Sequence, residues 1–386
     1  MVHDSRSPAT AATNATLQRP IMITAGGTGG HVYPGLAVAR ALIAQGIPVV
    51  WMGTPKGLEA RVIPEAGIEM AWLEVNGLRG KGVMTTLLAP VNLLRALWQS
   101  VRIMRRYQPA AILGMGGFVA GPGGLVAALM GKPVVIHEQN AVAGLTNKLL
   151  SKVCRRVLEG FPHTFPPSPK VMATGNPVRL DIANLPEPAE RAASRAQEPV
   201  HVLVVGGSLG AQALNQMVPQ ALAQLPLAQR PSVRHQAGVK NIDDARQQYA
   251  AAGVEAEVMP FIEDMAAAYA WADLVICRSG ALTIAELAAA GVAAILVPFP
   301  HAVDDHQTAN GAYLADNGAA LLMQQRDLTP EKLATVLSDL CSNRAKLQQM
   351  GTTARQLAKP YATAQVAAIC AAYAGYDFDN KTGKQQ

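Results

Sequence analysis

Short hydrophobic runs alternate along this chain with stretches whose apolar residues recur at helical spacing, and that alternation predicts its architecture. Ile21-Met-Ile-Thr-Ala25 runs straight into Gly26-Gly-Thr-Gly-Gly-His31, after which Tyr33 to Gln45 carries a helical pattern. Further strands are predicted at Val49–Gly53, Ala110–Gly114, Pro133–His137 and Lys170–Thr174, with helices between them, as a parallel sheet requires. Leu185–Pro199 is rich in Pro, Ala and Glu and reads as a linker. Beyond it the opening theme returns in Val200-His-Val-Leu-Val-Val-Gly-Gly-Ser-Leu-Gly-Ala211. Strands follow at Ser232–Gln236, Val254–Met259, Leu274–Cys277 and Ala293–Pro298, and helices at Thr329–Cys341 and Lys346–Ala358. A last helix, Thr363–Ala374, comes after Lys359-Pro360 and could cross back to the first half. The pattern predicts two α/β domains of similar design.

The glycine turns are where chemistry is expected. A strand, a tight turn and a helix start together present free N–H groups and a positive dipole end to an anion. The first turn does not fit the dinucleotide fingerprint. Counted from Gly27, the third small position falls on Val32, and the strand at Val49–Gly53 ends without an acid for a ribose. His31 instead closes the loop, although a glycine turn that only packs a helix on a sheet is the plainer alternative. Ala110–Gly114 empties into a second glycine-rich stretch, Gly114-Met-Gly-Gly-Phe-Val-Ala-Gly-Pro-Gly-Gly124, and His137-Glu-Gln-Asn140 stands at a strand's C-terminal end.

In the second half, three segments converge on one sheet edge. Gly206-Gly-Ser208 offers N–H groups and a hydroxyl suited to a diphosphate. Cys277-Arg-Ser-Gly-Ala-Leu-Thr-Ile-Ala-Glu286 turns at Gly280 and starts a helix near Thr283, with Glu286 facing back from the first turn. An acid there either balances the helix dipole, at ~0.3–1 kcal/mol, or accepts both hydroxyl hydrogens of a sugar diol. Pro298 to Asn310 packs polar groups into a loop directly after a strand. Its Asp304 and Asp305 are adjacent, so their carboxylates diverge and make a poor clip for a divalent cation.

Composition narrows the compartment and the partners. Half of the 386 residues are hydrophobic and 16% are charged, enough apolar material for two cores. Cys154, Cys277, Cys341 and Cys370 are scattered, without the spacing of a zinc site, and read as buried thiols of a reducing compartment. Residues 1–17 read as a disordered leader, and no apolar run reaches the ~18 residues of a spanning helix. Residues 1–179 carry 18 Lys+Arg against 7 Asp+Glu, and residues 180–386 carry 15 against 20. From Val75 to His137 there is no acid at all, while Arg79, Lys81, Arg95, Arg102, Arg105, Arg106 and Lys132 supply cations. Such a field draws nucleic acid, anionic lipid or a phosphorylated substrate. Between Gly80 and Tyr107, apolar residues at helical spacing are interleaved with those arginines. That fits a membrane-surface helix and equally an amphipathic helix docked on the sheet.

Seven motifs occur in order: Gly26–His31, Gly77-Leu-Arg-Gly-Lys-Gly82, His137–Asn140, Gly175-Asn-Pro-Val-Arg179, Gly206–Ser208, Arg278–Thr283 and Asp304-Asp-His-Gln307. Through them the chain, from about residue 20 to 375, resembles a family of bacterial peptidoglycan synthesis. Its members are the UDP-N-acetylglucosamine–lipid I N-acetylglucosaminyltransferases. The resemblance implies a GT-B fold, two Rossmann-like doubly wound parallel-sheet domains facing across a cleft. It assigns residues 18–180 to an acceptor and membrane domain, 181–359 to a donor domain and 360–378 to a helix returning to the first. The implied reaction is inverting and needs neither metal nor cofactor. It carries N-acetylglucosamine from UDP-GlcNAc to lipid I, giving lipid II.

By the same resemblance the Ile262 backbone meets the uracil and Glu286 the ribose. Ser208 and the helix start at Ala281, Leu282 and Thr283, continuing through Ile284 and Ala285, meet the diphosphate. Arg179 and Gln307 complete the donor site, with His306 the alternative to Gln307. Thr28, Gly29, Gly30 and Asn140 bound the transfer site, and His31 is the candidate general base. Implied partners are the donor, the undecaprenyl-pyrophosphate-linked acceptor and an anionic inner-membrane surface on the cytoplasmic side, but no nucleic acid. Contacts with the cell-wall and division machinery are a further prospect. A dinucleotide-dependent oxidoreductase is disfavoured by the broken fingerprint. A non-catalytic lipid- or nucleic-acid-binding protein leaves the second-half motifs unexplained. Another UDP-sugar transferase acting on a lipid acceptor is the main rival.

Overall fold

A computed structural model describes residues 18–74, 89–207 and 210–379. The expected leader at 1–17, the glycine motif at 77–82 with its Arg79 and Lys81, and Ser208 lie outside the described residues. Among the described residues the strands form two wholly parallel sheets, of seven and six strands. The first holds β1 (Ile21–Thr24), β2 (Val49–Gly53), β3 (Glu69–Trp72), β4 (Ala111–Gly114), β5 (Val134–Glu138), β6 (Arg156–Glu159) and β7 (Val171–Ala173), in the order β3-β2-β1-β4-β5-β6-β7. The second holds β8 (His201–Val205), β9 (Ser232–Gln236), β10 (Glu257–Met259), β11 (Leu274–Cys277), β12 (Ala293–Leu296) and β13 (Ala320–Leu322), in the order β10-β9-β8-β11-β12-β13. Sheet order reverses beside the first strand of each half, and crevices of this kind are where doubly wound sheets bind ligands.

Register sets the neighbours at those crevices. Thr24 pairs with Gly114, so the loops after β1 and β4 leave the sheet side by side. Val205 pairs with Cys277, which sets Gly206 beside Arg278. The strands read as unbroken apolar runs because both faces are covered. Ile21 and Ile23 join the core under the helix Gly29–Ala44, while Met22 joins the core on the opposite face. Burying each such side chain contributes ~1.5–3 kcal/mol. The helix Ala362–Ala374 places Val366, Ala367, Cys370 and Ala371 in the same core as Ile21 and Ile23, so the chain's last helix packs on the first sheet.

Several boundaries differ from the sequence reading. The first helix begins at Gly29, not Tyr33, because Gly29 and Gly30 take helical geometry behind Thr28. The second glycine-rich stretch is mostly the helix Gly117–Leu129, whose small residues let it lie close on the sheet. The linker contains the helix Pro188–Ser194, tied down where Arg191 donates to the Gly291 carbonyl at 2.9 Å. Strands β3, β6 and β13 are short and carry no alternating pattern. The halves meet where the Phe161 ring stands edge-on to Tyr313 at 5.2 Å, and Thr363 of the last helix donates to the Val178 carbonyl. No helix among the described residues is long and apolar enough to cross a membrane.

Candidate active site at the cleft

The first glycine loop is pinned by a carboxylate that the strand pattern does not reveal. Glu59, fully buried, accepts from the Gly27 N–H at 3.0 Å with one oxygen. Its other oxygen accepts from the Thr54 N–H at 3.0 Å and the Thr54 hydroxyl at 2.7 Å. Gly27 has φ +96°, a conformation only glycine takes cheaply. Thr28 caps the helix in an extended conformation without a side-chain cap bond, and Thr28 and Gly30 are exposed while Gly29 is half-buried. His31 therefore lies in the first helical turn rather than at the end of the loop. Gly116 and Gly117, at φ +93° and +74°, lie against it. A Cβ on Gly116 would come within 3.3 Å of His31 Nδ1, and one on Gly117 within 2.8 Å of the Gly26 carbonyl oxygen.

Behind His31 runs a file of hydrogen bonds through the His137–Asn140 motif at the end of β5. His31 Nδ1 and Gln139 Oε1 are 2.7 Å apart. Gln139 Nε2 lies 3.0 Å from His137 Nδ1 and 3.1 Å from the His137 carbonyl oxygen. His137 Nε2 lies 3.0 Å from the Gly175 carbonyl oxygen. His137 is fully buried, and burial pushes its pKa down to about 4, so the ring is neutral at pH 7. Glu138 next door accepts from Asn147 Nδ2, the Gly144 N–H and both nitrogens of Asn140. Asn140 is not a free cleft group. Its Oδ1 accepts from Asn310 Nδ2 at 3.2 Å, while Asn310 Oδ1 accepts from the Ala141 N–H at 2.7 Å and joins the two halves.

Across the cleft, the helix Ala281–Ala290 starts two residues earlier than the sequence suggested, with Gly280 as its cap. The N–H groups of Ala281, Leu282 and Thr283 are the free donors of its first turn, since the first intrahelical bond runs from Ile284 to the Gly280 carbonyl. Leu282, Thr283 and Ala285 are half-buried, and Ala281 and Ile284 are buried. Glu286 consequently sits in the second turn and not the first, which removes the dipole-balancing role considered for it. It is buried at 8% exposure, accepts from the Tyr269 hydroxyl at 3.1 Å, and lies 3.7 Å from the Arg179 guanidinium. Burial raises its pKa to about 7 against the opposing pull of Arg179 and the Tyr269 hydrogen bond.

Gly206 is buried and Gly207 exposed at the end of β8. Ile262, buried, follows β10 on the same sheet edge. Gln307 Oε1 accepts from the Phe299 N–H at 2.9 Å, and His306 Nδ1 donates to the Val303 carbonyl at 2.7 Å.

The helix Gly29–Ala44, which carries His31, packs against the helix Ala281–Ala290, which carries Glu286, and Arg179 lies beside Glu286. Sequence reasoning missed Glu59, Gln139, Tyr269 and Asn310 as contributors. Gln139 and Asn310 stood inside noted segments, whereas Glu59 reaches Gly27, 32 positions away, besides its near neighbour Thr54, and Tyr269 reaches Glu286, 17 positions away. Such pairings carry no local pattern.

Comparison with known proteins bears on this arrangement. Residues 21–159 match the glycosyltransferase family 28 N-terminal domain and residues 201–366 its C-terminal domain. A protein of Cupriavidus metallidurans is 57% identical over 357 residues, 92% of this chain and 99% of its own. One from Paraburkholderia phymatum is 55% identical over 374 residues, 96% of this chain and 99% of its own. Both are named UDP-N-acetylglucosamine–N-acetylmuramyl-(pentapeptide) pyrophosphoryl-undecaprenol N-acetylglucosamine transferase. The crystal structure of Acinetobacter baumannii MurG superposes with a TM-score of 0.80 at 47% identity, covering 91% of this chain and 99% of that one.

Proposed function

The chain belongs to glycosyltransferase family 28, and from that premise we propose that it transfers N-acetylglucosamine from UDP-GlcNAc to lipid I, giving lipid II. The observation that carries the reading is the packing of the helix that bears His31 against the helix that bears Glu286, in a chain more than half identical to enzymes of that name. In this reading residues 181–359 hold the donor and residues 18–180 the acceptor and the membrane, with 360–378 bracing the first half. Glu286 accepts the two ribose hydroxyls while the Ile262 backbone meets the uracil. The free N–H groups of Ala281–Thr283, with Ser208, receive the diphosphate and stabilise it as it leaves. Arg179 pulls the Glu286 carboxyl toward its charged form against the effect of burial, and Gln307 faces the sugar.

Chemistry then needs one base. His31 takes the proton of the acceptor hydroxyl as its oxygen attacks the anomeric carbon, the bond to the diphosphate breaks, and the configuration inverts. The acceptor's lipid is reached from a surface that several helices share. Val91, Leu94 and Trp98 on the helix Ala89–Tyr107 are exposed, as are Leu129 at the end of its neighbour and Leu145, Leu149 and Val153 beyond. Arg102, Arg105, Lys148 and Lys152 are exposed in the same segments, and Arg102 stacks over Trp98 at 4.7 Å. We assign this face to an anionic inner-membrane surface on the cytoplasmic side. Purified protein with radiolabelled UDP-GlcNAc tests the function. Transfer to a lipid I analogue, persisting in excess EDTA, is the expected result. Transfer only to other lipid acceptors would contradict the assignment.

A further inference from the structure

The file of bonds behind His31 has one internally consistent proton assignment. Two of its members are backbone carbonyls, which can only accept. The Gly175 carbonyl requires the hydrogen of His137 to sit on Nε2, leaving a lone pair on His137 Nδ1. The His137 carbonyl requires the Gln139 amide to present its NH₂ inward, and that same NH₂ donates to His137 Nδ1. Gln139 Oε1 is then left facing His31 Nδ1, which must carry its hydrogen to make the 2.7 Å contact. His31 Nε2 keeps its lone pair and makes no hydrogen bond among the described residues.

We infer that Gln139 and His137 are positioning residues that hold His31 as its Nδ1–H tautomer, so that Nε2 is the basic atom of the site. The inference rests on the reading of His31 as general base. In His-based catalysis the partner of one ring nitrogen decides which nitrogen is basic, and a mis-set tautomer cripples turnover while leaving binding intact. Here the orienting group is a neutral amide, itself locked by a second histidine, where other such sites use a carboxylate. It therefore fixes the tautomer without supplying a charge to stabilise an imidazolium. Gly116 completes the arrangement by leaving room for the ring, while Gly117 clears the Gly26 carbonyl of the loop. The His31–Gln139 contact spans 108 positions and so joins two motifs that are separate in the chain.

The test uses the intact enzyme. Long-range ¹⁵N–¹H correlation spectra of ¹⁵N-histidine-labelled wild type, with His31 assigned by comparison with His31→Ala, are expected to show its proton on Nδ1. Gln139→Met keeps the side-chain length but removes both the acceptor and the donor. It is expected to lower kcat about tenfold or more, to hold the KM for UDP-GlcNAc within about twofold, and to give His31 a mixture of tautomers. A wild-type spectrum with the proton on Nε2 would overturn the inference whatever the variant does, as would Gln139→Met turning over like wild type. His31→Ala, assayed alongside, separates the two readings. If it is slow while Gln139→Met is not, the base stands and the positioning role falls. If His31→Ala is as fast as wild type, the base reading falls, and the wild-type spectrum alone judges Gln139.

Discussion

Glu286 shows how burial can tie stability to pH through one carboxyl. Its pKa of about 7 lies above the ordinary 4.5, so the folded chain binds a proton there that the unfolded chain has already released. The stability this contributes is full below pH ~4.5 and is lost as the pH rises through about 7, a change of about 3 kcal/mol from the size of the shift. In the proposed donor site ribose hydroxyls donate to the charged form, so donor binding is expected to run the opposite way. UDP affinity is expected to rise as the pH climbs from about 5.5 to about 8, and Glu286→Gln is expected to flatten both the affinity and the stability profile. Calorimetric titration at both pH values checks this; equal slopes in wild type and variant would remove Glu286 from the donor site. Arg179, at 3.7 Å, is what keeps the ionised form accessible near neutrality.

At the scale of elements, the first strand–turn–helix unit depends on a partner from the next one. Glu59 serves three donors of two loops from a fully buried position, and charged hydrogen bonds contribute ~1.5–3 kcal/mol each. Glu59→Ala is expected to lower the melting temperature clearly and to reduce kcat by loosening Thr28–Gly30. An unchanged melting curve would mean that the loop holds its shape without the carboxylate. Both Gly-Gly turns, the β1 and β8 runs and the helix carrying Glu286 could be read directly, because apolar runs and glycines are local signals. The helix Gly117–Leu129 could not, since its glycines suppress helix propensity and only packing on the sheet compensates. The helix Pro188–Ser194 hid for a similar reason: Arg191 finds its anchor at Gly291, in another element. Glu286 stood out in the sequence as a candidate site residue, but its turn and its Tyr269 partner did not.

The whole molecule divides its work between two sheets and one outer face. The apolar and basic side chains around Trp98, Arg102 and Lys148 lie on helices of the first half, and each basic residue near an anionic surface contributes ~1 kcal/mol, screened by salt. Arg95 pairs with Glu74 at 2.6 Å, which offsets part of its charge. Purified protein is expected to sediment with anionic vesicles, to dissociate as salt rises, and to ignore zwitterionic ones. The combined change of Arg102, Arg105 and Lys148 to Glu is expected to abolish sedimentation while sparing transfer to a water-soluble acceptor analogue. A triple variant that sediments like wild type would move the membrane face elsewhere. The central claim concerns the cleft itself, that the donor is held by one half and the base supplied by the other. Steady-state kinetics of His31→Ala and Glu286→Ala, measured together with UDP binding, test it most directly. His31→Ala is predicted to lose ~10²–10⁴-fold in kcat with UDP affinity retained, and Glu286→Ala to raise the donor KM about tenfold or more. A His31→Ala enzyme keeping more than about half of wild-type kcat, or a Glu286→Ala enzyme with unchanged donor KM, would contradict that division of labour.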